Sequence, residues 1–336
     1  MWRKGMARAR NRIRIRDVGI ATLAALWFSP GLISAAAAQS YPSRPVRLIV
    51  PFAAGGPLDL VARSLTDRLA ATLGQPFVVE NRVGAGGNIG TEAAAKAEPD
   101  GYTLLFVLSG TLVANPAVFK KLPFDPGKDF IPISLVTATR QMLVVHPSVP
   151  VNTVAEFVQY AKSNPVTYAH AGPGSGGHLA MGYFSLLAGF SGTPVPYRGN
   201  APLMTDLAAG QVQSGFIASA GAIPHVQAGR LKGLAIAGET RSPLVPSVPT
   251  MSEAGYPKLK LDTYFVLLAP ANTPLNIVRL LEREVQAITK LRDVTDKWRT
   301  SDIDPLGTSA AEAAAVLKEE RALWGDVVRR AKLDQH

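Results

Sequence analysis

The chain has 336 residues, no cysteine, 47% hydrophobic and 18% charged residues, and a formal net charge of +10. That composition describes a packed globular protein and excludes disorder, a disulfide framework and thiol-linked lipid anchoring. The charge is also local: residues 1–38 hold seven of the 35 basic and one of the 25 acidic residues, leaving a net +4 elsewhere, so the basic balance is no sign of nucleic-acid binding.

The first segment reads as a secretory signal peptide. Arg3, Lys4, Arg8, Arg10, Arg12, Arg14 and Arg16 form a cationic region, Val18 to Ile33 an apolar one, and Ala36-Ala37-Ala38 a cleavage site ending at Ala38. It contains no Arg-Arg pair, so the general secretion route is expected rather than the twin-arginine one. No later apolar run reaches the ~18 residues of a membrane span, and the mature product is expected to be periplasmic.

From there strand and helix signals alternate, the mark of an α/β fold. Strands are expected at 46–50, 77–80, 103–108 and 133–145, the last as one long or two short strands. Helices are expected at 59–73 and 88–97. A second block starts with a helix over 154–163, capped by Thr153 with Glu156 three residues on. It continues as strand 166–171, helix 178–188, strand 195–197, helix 202–209, strand 212–218, helix 223–228 and strand 231–237. A proline-rich passage, 242–257, leads to strand 264–269. Helices at about 274–290, 293–300 and 309–331 finish the chain, the last capped by Thr308 or Ser309. The helical tail is expected to pack back on the first block. This gives domain 1 as 39–141 plus 263–336 and domain 2 as 142–262, with two crossovers forming a hinge and a ligand cleft between the blocks.

Three glycine loops are the candidate chemistry. Leu48-Ile49-Val50 breaks at Pro51 into Phe52-Ala53-Ala54-Gly55-Gly56-Pro57 before a helix near Asp59. A strand running through glycines into a helix N-terminus presents free N–H groups and the positive end of a helix dipole, which suits an anion. Gly172-Pro173-Gly174-Ser175-Gly176-Gly177, before His178, repeats the device. It formally matches the dinucleotide fingerprint, but Pro173 removes a donor the pyrophosphate would use. The Ser175 hydroxyl and His178 imidazole add to its anion reading; the plain alternative is a turn that permits close packing. The third loop, Gly84 to Gly90, reads as a structural turn, with a segment facing the ligand as the alternative. Ser109-Gly110-Thr111 ends a strand, where ligands sit in open α/β sheets; a hydroxyl-capped turn is equally consistent. Asp59 reads as a helix cap, and Asp206 as a cap or a ligand contact.

Catalytic and metal constellations are missing. Ser175 is not in a G-x-S-x-G elbow, and the five histidines show no ligand spacing. No enzyme, cofactor or metal is expected; an exported hydrolase using Ser175 is the weakest alternative.

Longer motifs carry a resemblance. Tyr41-Pro-x-Arg44-Pro45-Val46, Pro51-Phe52-x-x-Gly55-Gly56-Pro57-x-Asp59, Glu80-Asn81-Arg82-x-Gly84-Ala85-Gly86-Gly87, Pro99-Asp100-Gly101-Tyr102, Gly172-x-Gly174-Ser175 with His178, Val195-Pro196-Tyr197-Arg198-Gly199 and Asp206-Leu207-x-x-Gly210-Gln211-Val212 resemble the Bug/TctC family. Its members are periplasmic binding proteins of tripartite tricarboxylate transporters, and the match runs through the mature chain in order. The resemblance implies a two-domain type II periplasmic-binding-protein fold that closes on a di- or tricarboxylate, an acidic amino acid or an aromatic acid. It implies as partners this ligand and the membrane components of a transporter, for a monomeric receptor; a sensor of the same fold without transport is the alternative. Carried over, the ligand is gripped by Phe52, Ala53, Ala54, Gly55, Gly56 and Asp59, and by Gly172, Pro173, Gly174, Ser175 and His178. Ser109, Gly110, Thr111, Tyr197, Arg198 and Gly199 complete the site, to which the residues alone add Asp206 as the candidate ligand contact. Two departures stand out: Met181-Gly182-Tyr183 where the family often has an acidic residue, and Tyr264-Phe265 where it often has tryptophan.

Overall fold

A computed structural model describes residues 41–333; the signal-peptide reading and its cleavage site lie outside the described residues. β1 (Val46–Val50) is buried except at Arg47 because parallel neighbours flank it on both sides, β2 (Phe77–Asn81) and β3 (Thr103–Leu108). Between them lie α1 (Pro57–Leu73) and α2 (Asn88–Ala95). Pro57 opens α1, where its missing N–H costs nothing, and Gly74 closes it at φ 72°. Two short helices, α3 (Ser109–Val113) and α4 (Asn115–Val118), precede the 16-residue β4 (Phe130–Val145).

The chain continues as α5 (Val154–Ser163), β5 (Thr167–His170), α6 (Gly176–Ala188), β6 (Thr193–Pro196), α7 (Asn200–Ala208), β7 (Ser214–Ala218), α8 (Ser219–Gln227) and β8 (Lys232–Ile236). It ends as β9 (Asp262–Pro270), α9 (Leu275–Ile288), α10 (Arg292–Arg299), β10 (Ile303–Pro305) and α11 (Ala310–Ala331). Thr153 caps α5 by accepting from the Glu156 amide at 3.1 Å. Ser309, rather than Thr308, forms a complete capping box with Glu312.

The sheet runs β2-β1-β3-β9-β4-β7-β5-β6, with β8 and β10 also paired to β4. β4 is one strand with two sets of neighbours. Phe130 to Arg140 pairs antiparallel with β9, while Gln141 to Val145 pairs with β7 and, through a bulge, with β8. One core lies under β1 and β3 and takes in Leu65, Leu69, Val285 and Trp298. Another lies among Met142, Val144, Leu203 and Ile217. A third runs from Ile49 and Leu105 to Phe157 and Phe184 through Leu317, Trp324 and Val328. Thus α9 and α10 join the first core, whereas α11 packs on α3 and α4 and also on α6.

Three differences from the sequence reading concern helix starts, all at small residues with weak periodicity. Ser109-Gly110-Thr111 is the first turn of α3, not an open turn. α6 begins at Gly176, because Gly176 and Gly177 let its backbone press onto the sheet: a Cβ at Gly176 would lie 2.7 Å from Thr263 Oγ1. α8 begins at Ser219, directly after β7.

Candidate functional site

The carboxyl end of β3 and the carboxyl end of β5 deliver their loops to one place. The first turn of α3 (Ser109, Gly110, Thr111) and the loop Pro173-Gly174-Ser175 with Gly176 line a common cavity, joined by Phe52, Gly86, Gln141, Asp262, Thr263 and Trp324. The first turns of both helices carry N–H groups with no intrahelical partner. Ser175 Oγ is buried with no hydrogen-bond partner in the structure, so a buried hydroxyl in the wall is left to something the cavity holds. Gln141 is fixed by donating from Nε2 to Thr263 Oγ1 at 3.1 Å.

The two walls touch. A Cβ on Gly110 would lie 2.7 Å from the Gly174 carbonyl oxygen, and one on Gly86 would lie 2.8 Å from that of Pro173. The remaining cavity is about 20 Å³, room for about one water. This is a shut form of the site; a small organic acid needs the walls to part.

Supports of these loops are specific. Asn115, fully buried, donates to the Gly86 carbonyl at 3.2 Å and to Asn88 Oδ1 at 2.6 Å, and Thr111 Oγ1 donates to the Gly86 carbonyl at 3.1 Å. On the other wall the Gly174 amide donates to His178 Nδ1 at 3.3 Å, and His178 stacks on His170 with ring centroids 4.4 Å apart. Burial first, and His170 second, push the His178 imidazole down to about 3. His178 is therefore a neutral acceptor at any physiological pH, bracing the loop.

The residues singled out from sequence fall into two groups. Phe52, Ser109, Gly110, Thr111, Pro173, Gly174 and Ser175 line the cavity; Ala53, Ala54, Gly55, Gly56, Asp59, Gly172, His178, Tyr197, Arg198, Gly199 and Asp206 do not. Asp59 is fully engaged: it accepts from the Gly55 amide at 3.0 Å, from Arg63 at 2.9 and 3.2 Å, and from Asn81 at 3.1 Å. Burial pushes its pKa up, but the bonds from Arg63, Gly55 and Asn81 outweigh burial and hold the carboxyl below its usual range. The Gly55 amide, the donor expected to meet an anion, is thus spent on Asp59. Opposite α6 stands the first turn of α3 rather than that of α1. The Tyr197 hydroxyl donates to Asp206 at 2.8 Å, which locks these two to each other, and Arg198 is exposed.

Gln141, Asp262, Thr263 and Trp324 went unnoticed as wall residues, and Gly86 brings to the wall a loop read chiefly as structural. Gln141 and Asp262 lie at the expected crossovers, where a polar side chain facing a cleft was a usable signal. Trp324 reaches the wall only because α11 packs across the sheet, which no local pattern announces.

Behind the wall stands Glu320 of α11. Its Oε2 is buried without a partner. Burial pushes its carboxyl up to about 8, with Asp262 adding to the rise and hydrogen bonds from Ser109 and Trp324 opposing it. The unfolded chain ionises this group near 4.5, so between those values the folded form binds more protons. Its contribution to stability is complete below pH 4.5 and is lost as pH rises through 8. Urea titrations at pH 5 and pH 9 should show a loss of roughly 2–5 kcal/mol in the wild type. Most of that loss should vanish in Glu320→Gln; an equal loss in the variant removes Glu320 as its source.

Comparison with known proteins follows the same line. The model of the tripartite tricarboxylate transporter family receptor, TctC, matches residues 61–333. Protein BugT of Bordetella pertussis is 34% identical over 302 residues, covering 89% of this chain and 93% of that protein. A solved R. palustris protein with adipate aligns at a TM-score of 0.82 and 35% identity, covering 87% of this chain and 98% of its own. MatC from Rhodopseudomonas palustris, with bound malate, aligns at a TM-score of 0.79 and 35% identity, covering 86% and 100%.

Proposed function

Because the chain belongs to the TctC family of tripartite tricarboxylate transporter receptors, we propose that it captures a small carboxylate between the first turns of α3 and α6 and hands it to the membrane components of such a transporter. The family is one of periplasmic solute-binding proteins, not of enzymes. The observation that carries the ligand class is the pair of helix first turns on opposite walls of one cavity, with the buried, unpartnered Ser175 hydroxyl between them. On the α6 side the Ser175 amide donates to the Gly172 carbonyl at 3.1 Å, so the amides of Gly176 and Gly177, with those of the α3 first turn, supply charge-assisted hydrogen bonds to an anion without any lysine or arginine in the wall. The relatives solved with adipate and with malate hold acids of this kind.

Each helix terminus adds about 0.3–2 kcal/mol, whereas a micromolar dissociation constant needs about 8 kcal/mol. The rest comes from several bonds made at once and from water excluded when the walls meet. The moving parts are two lobes, 41–141 with 263–333 and 142–262 among the described residues, hinged within β4 and at the start of β9. Ser175 takes no nucleophile's role: His178 Nδ1 is occupied by the Gly174 amide, so no base is hydrogen-bonded to the hydroxyl.

Native mass spectrometry of protein purified without refolding, followed by calorimetry against a panel of carboxylic acids, tests the reading. A retained or added acid with heat of binding is expected. Binding of neutral sugars or metal cations, with none of acids, overturns it.

A further inference from the structure

We propose that Asp262 makes this receptor selective for acids that also carry a protonated nitrogen, the amine docking against Asp262 and the Trp324 indole while the carboxylate meets the helix amides. The proposal deepens the carboxylate-receptor reading above and rests on it.

Asp262 is the sole charged residue among those lining the cavity. A wall that receives an anion would be expected to carry a cation or nothing; here it carries a carboxyl. The nearest balancing charge is committed elsewhere. Arg140 stands directly opposite Asp262 in the β4–β9 register, but its guanidinium reaches Asp302 at 3.5 Å and Asp304 more closely still. Among the described residues no basic side chain lies within ion-pair distance of Asp262, and its carboxylate has no hydrogen-bond partner.

The surroundings add negative rather than positive character. Asp304 from β10 and Glu239 after β8 act on Asp262 against the pull of Arg140. Burial is the first cause that lifts the Asp262 carboxyl above its usual range, and these neighbours reinforce it. Tyr264, on the same strand, is lifted by burial and then by Asp262 and Glu320. A second carboxylate of a plain dicarboxylate would have to settle against this wall, where like charges repel. An ammonium there relieves the half-buried, unpaired acid instead, and the buried Trp324 indole in the same wall favours a cation. Trp324 is 5% exposed and belongs to the same wall. A second, independent group awaits a ligand in this cavity, the unpartnered Ser175 hydroxyl.

Matched pairs that differ by the amine alone decide it: L-aspartate and succinate, L-glutamate and glutarate, L-phenylalanine and 3-phenylpropionate, 4-aminobutyrate and butyrate. Calorimetry of the mature protein at pH 7 should show, in the best-binding pair, the amino acid at least about tenfold tighter than its partner. Asp262→Asn should bring that pair within about threefold. Equal or tighter binding of the amine-free acid, or a preference that survives Asp262→Asn, overturns the inference. The amine-free acids binding best would leave the receptor reading intact, whereas no binding by any member of the pairs or by other carboxylates would overturn both. Should Asp262→Asn fail to fold, the wild-type pairs decide alone.

Discussion

Gly110→Ala will cost about 10- to 100-fold in ligand affinity while leaving the protein folded. The added methyl would lie 2.7 Å from the Gly174 carbonyl oxygen, a backbone atom that cannot swing aside. Gly110 sits in the α3 helix and is not among the positive-φ glycines, so alanine suits its local conformation and improves helix propensity. The clash exists only when the walls meet. Overpacking of this kind costs typically 1–3 kcal/mol, and each 1.4 kcal/mol is a factor of ten in affinity. Calorimetry with the identified acid measures the loss, and small-angle scattering should show a larger radius of gyration for the variant with ligand than for the wild type with ligand. An affinity within about threefold of wild type would mean that the loops do not close over the ligand.

Arg140→Ala will be among the most destabilising single changes, by about 3–5 kcal/mol. The Arg140 side chain is 13% exposed and that of Asp302 is 2% exposed. The Asp302 Oδ1 atom also accepts from Ser242 at 2.6 Å, and its Oδ2 has no partner. Arg140 lies where β4 changes neighbours, ties β10 to it, and meets the loop after β8, where a Cβ on Gly238 would press on its side chain. Removing the guanidinium leaves a buried carboxylate uncompensated and strips the cluster of its cation. Urea denaturation gives the number, and Arg140→Lys should recover part of it because the charge returns without the forked geometry. A loss below about 1 kcal/mol, the level of an exposed pair, contradicts the view that this ion pair is buried and structural.

Much of the fold was legible because its signals are local. The apolar run at Leu48–Val50, the break at Pro51 and the caps at Thr153 and Ser309 each declare an element within a few residues. The long β4 was legible as a strand, but whether it was one strand or two depended on β9 and β7 arriving from distant sequence. Of the site, the two glycine–serine segments at Ser109 and Ser175 could be read from their position after strands. The first glycine loop looks identical by that rule, yet Asp59 folds back onto the Gly55 amide and Arg63 and Asn81 fix it there. The pattern shows that donors exist; it does not show that a side chain four residues on has taken one.

Long-range packing explains the remainder. Within Met181-Gly182-Tyr183, where the family often has an acidic residue, Leu333 lies over Gly182 and fills the space a side chain there would take. Of the Tyr264-Phe265 pair, where the family often has tryptophan, Phe265 packs edge-on against Phe106 at 6.3 Å. Trp324 and Glu320 reach the site on α11, which begins at Ala310, far in sequence from Phe52, the first cavity residue in the chain, so neither periodicity nor motif could assign them to it.

The central claim is that main-chain amides at the start of α3 and of α6 hold an acid between them. A crystal structure of the mature protein with its carboxylate bound tests it directly. The account predicts carboxylate oxygens within hydrogen-bond distance, directly or through one water, of amides in both 109–111 and 176–177, with the Ser175 hydroxyl turned to the ligand. A carboxylate held by a lysine or arginine side chain, or seated away from either of these turns, would contradict it.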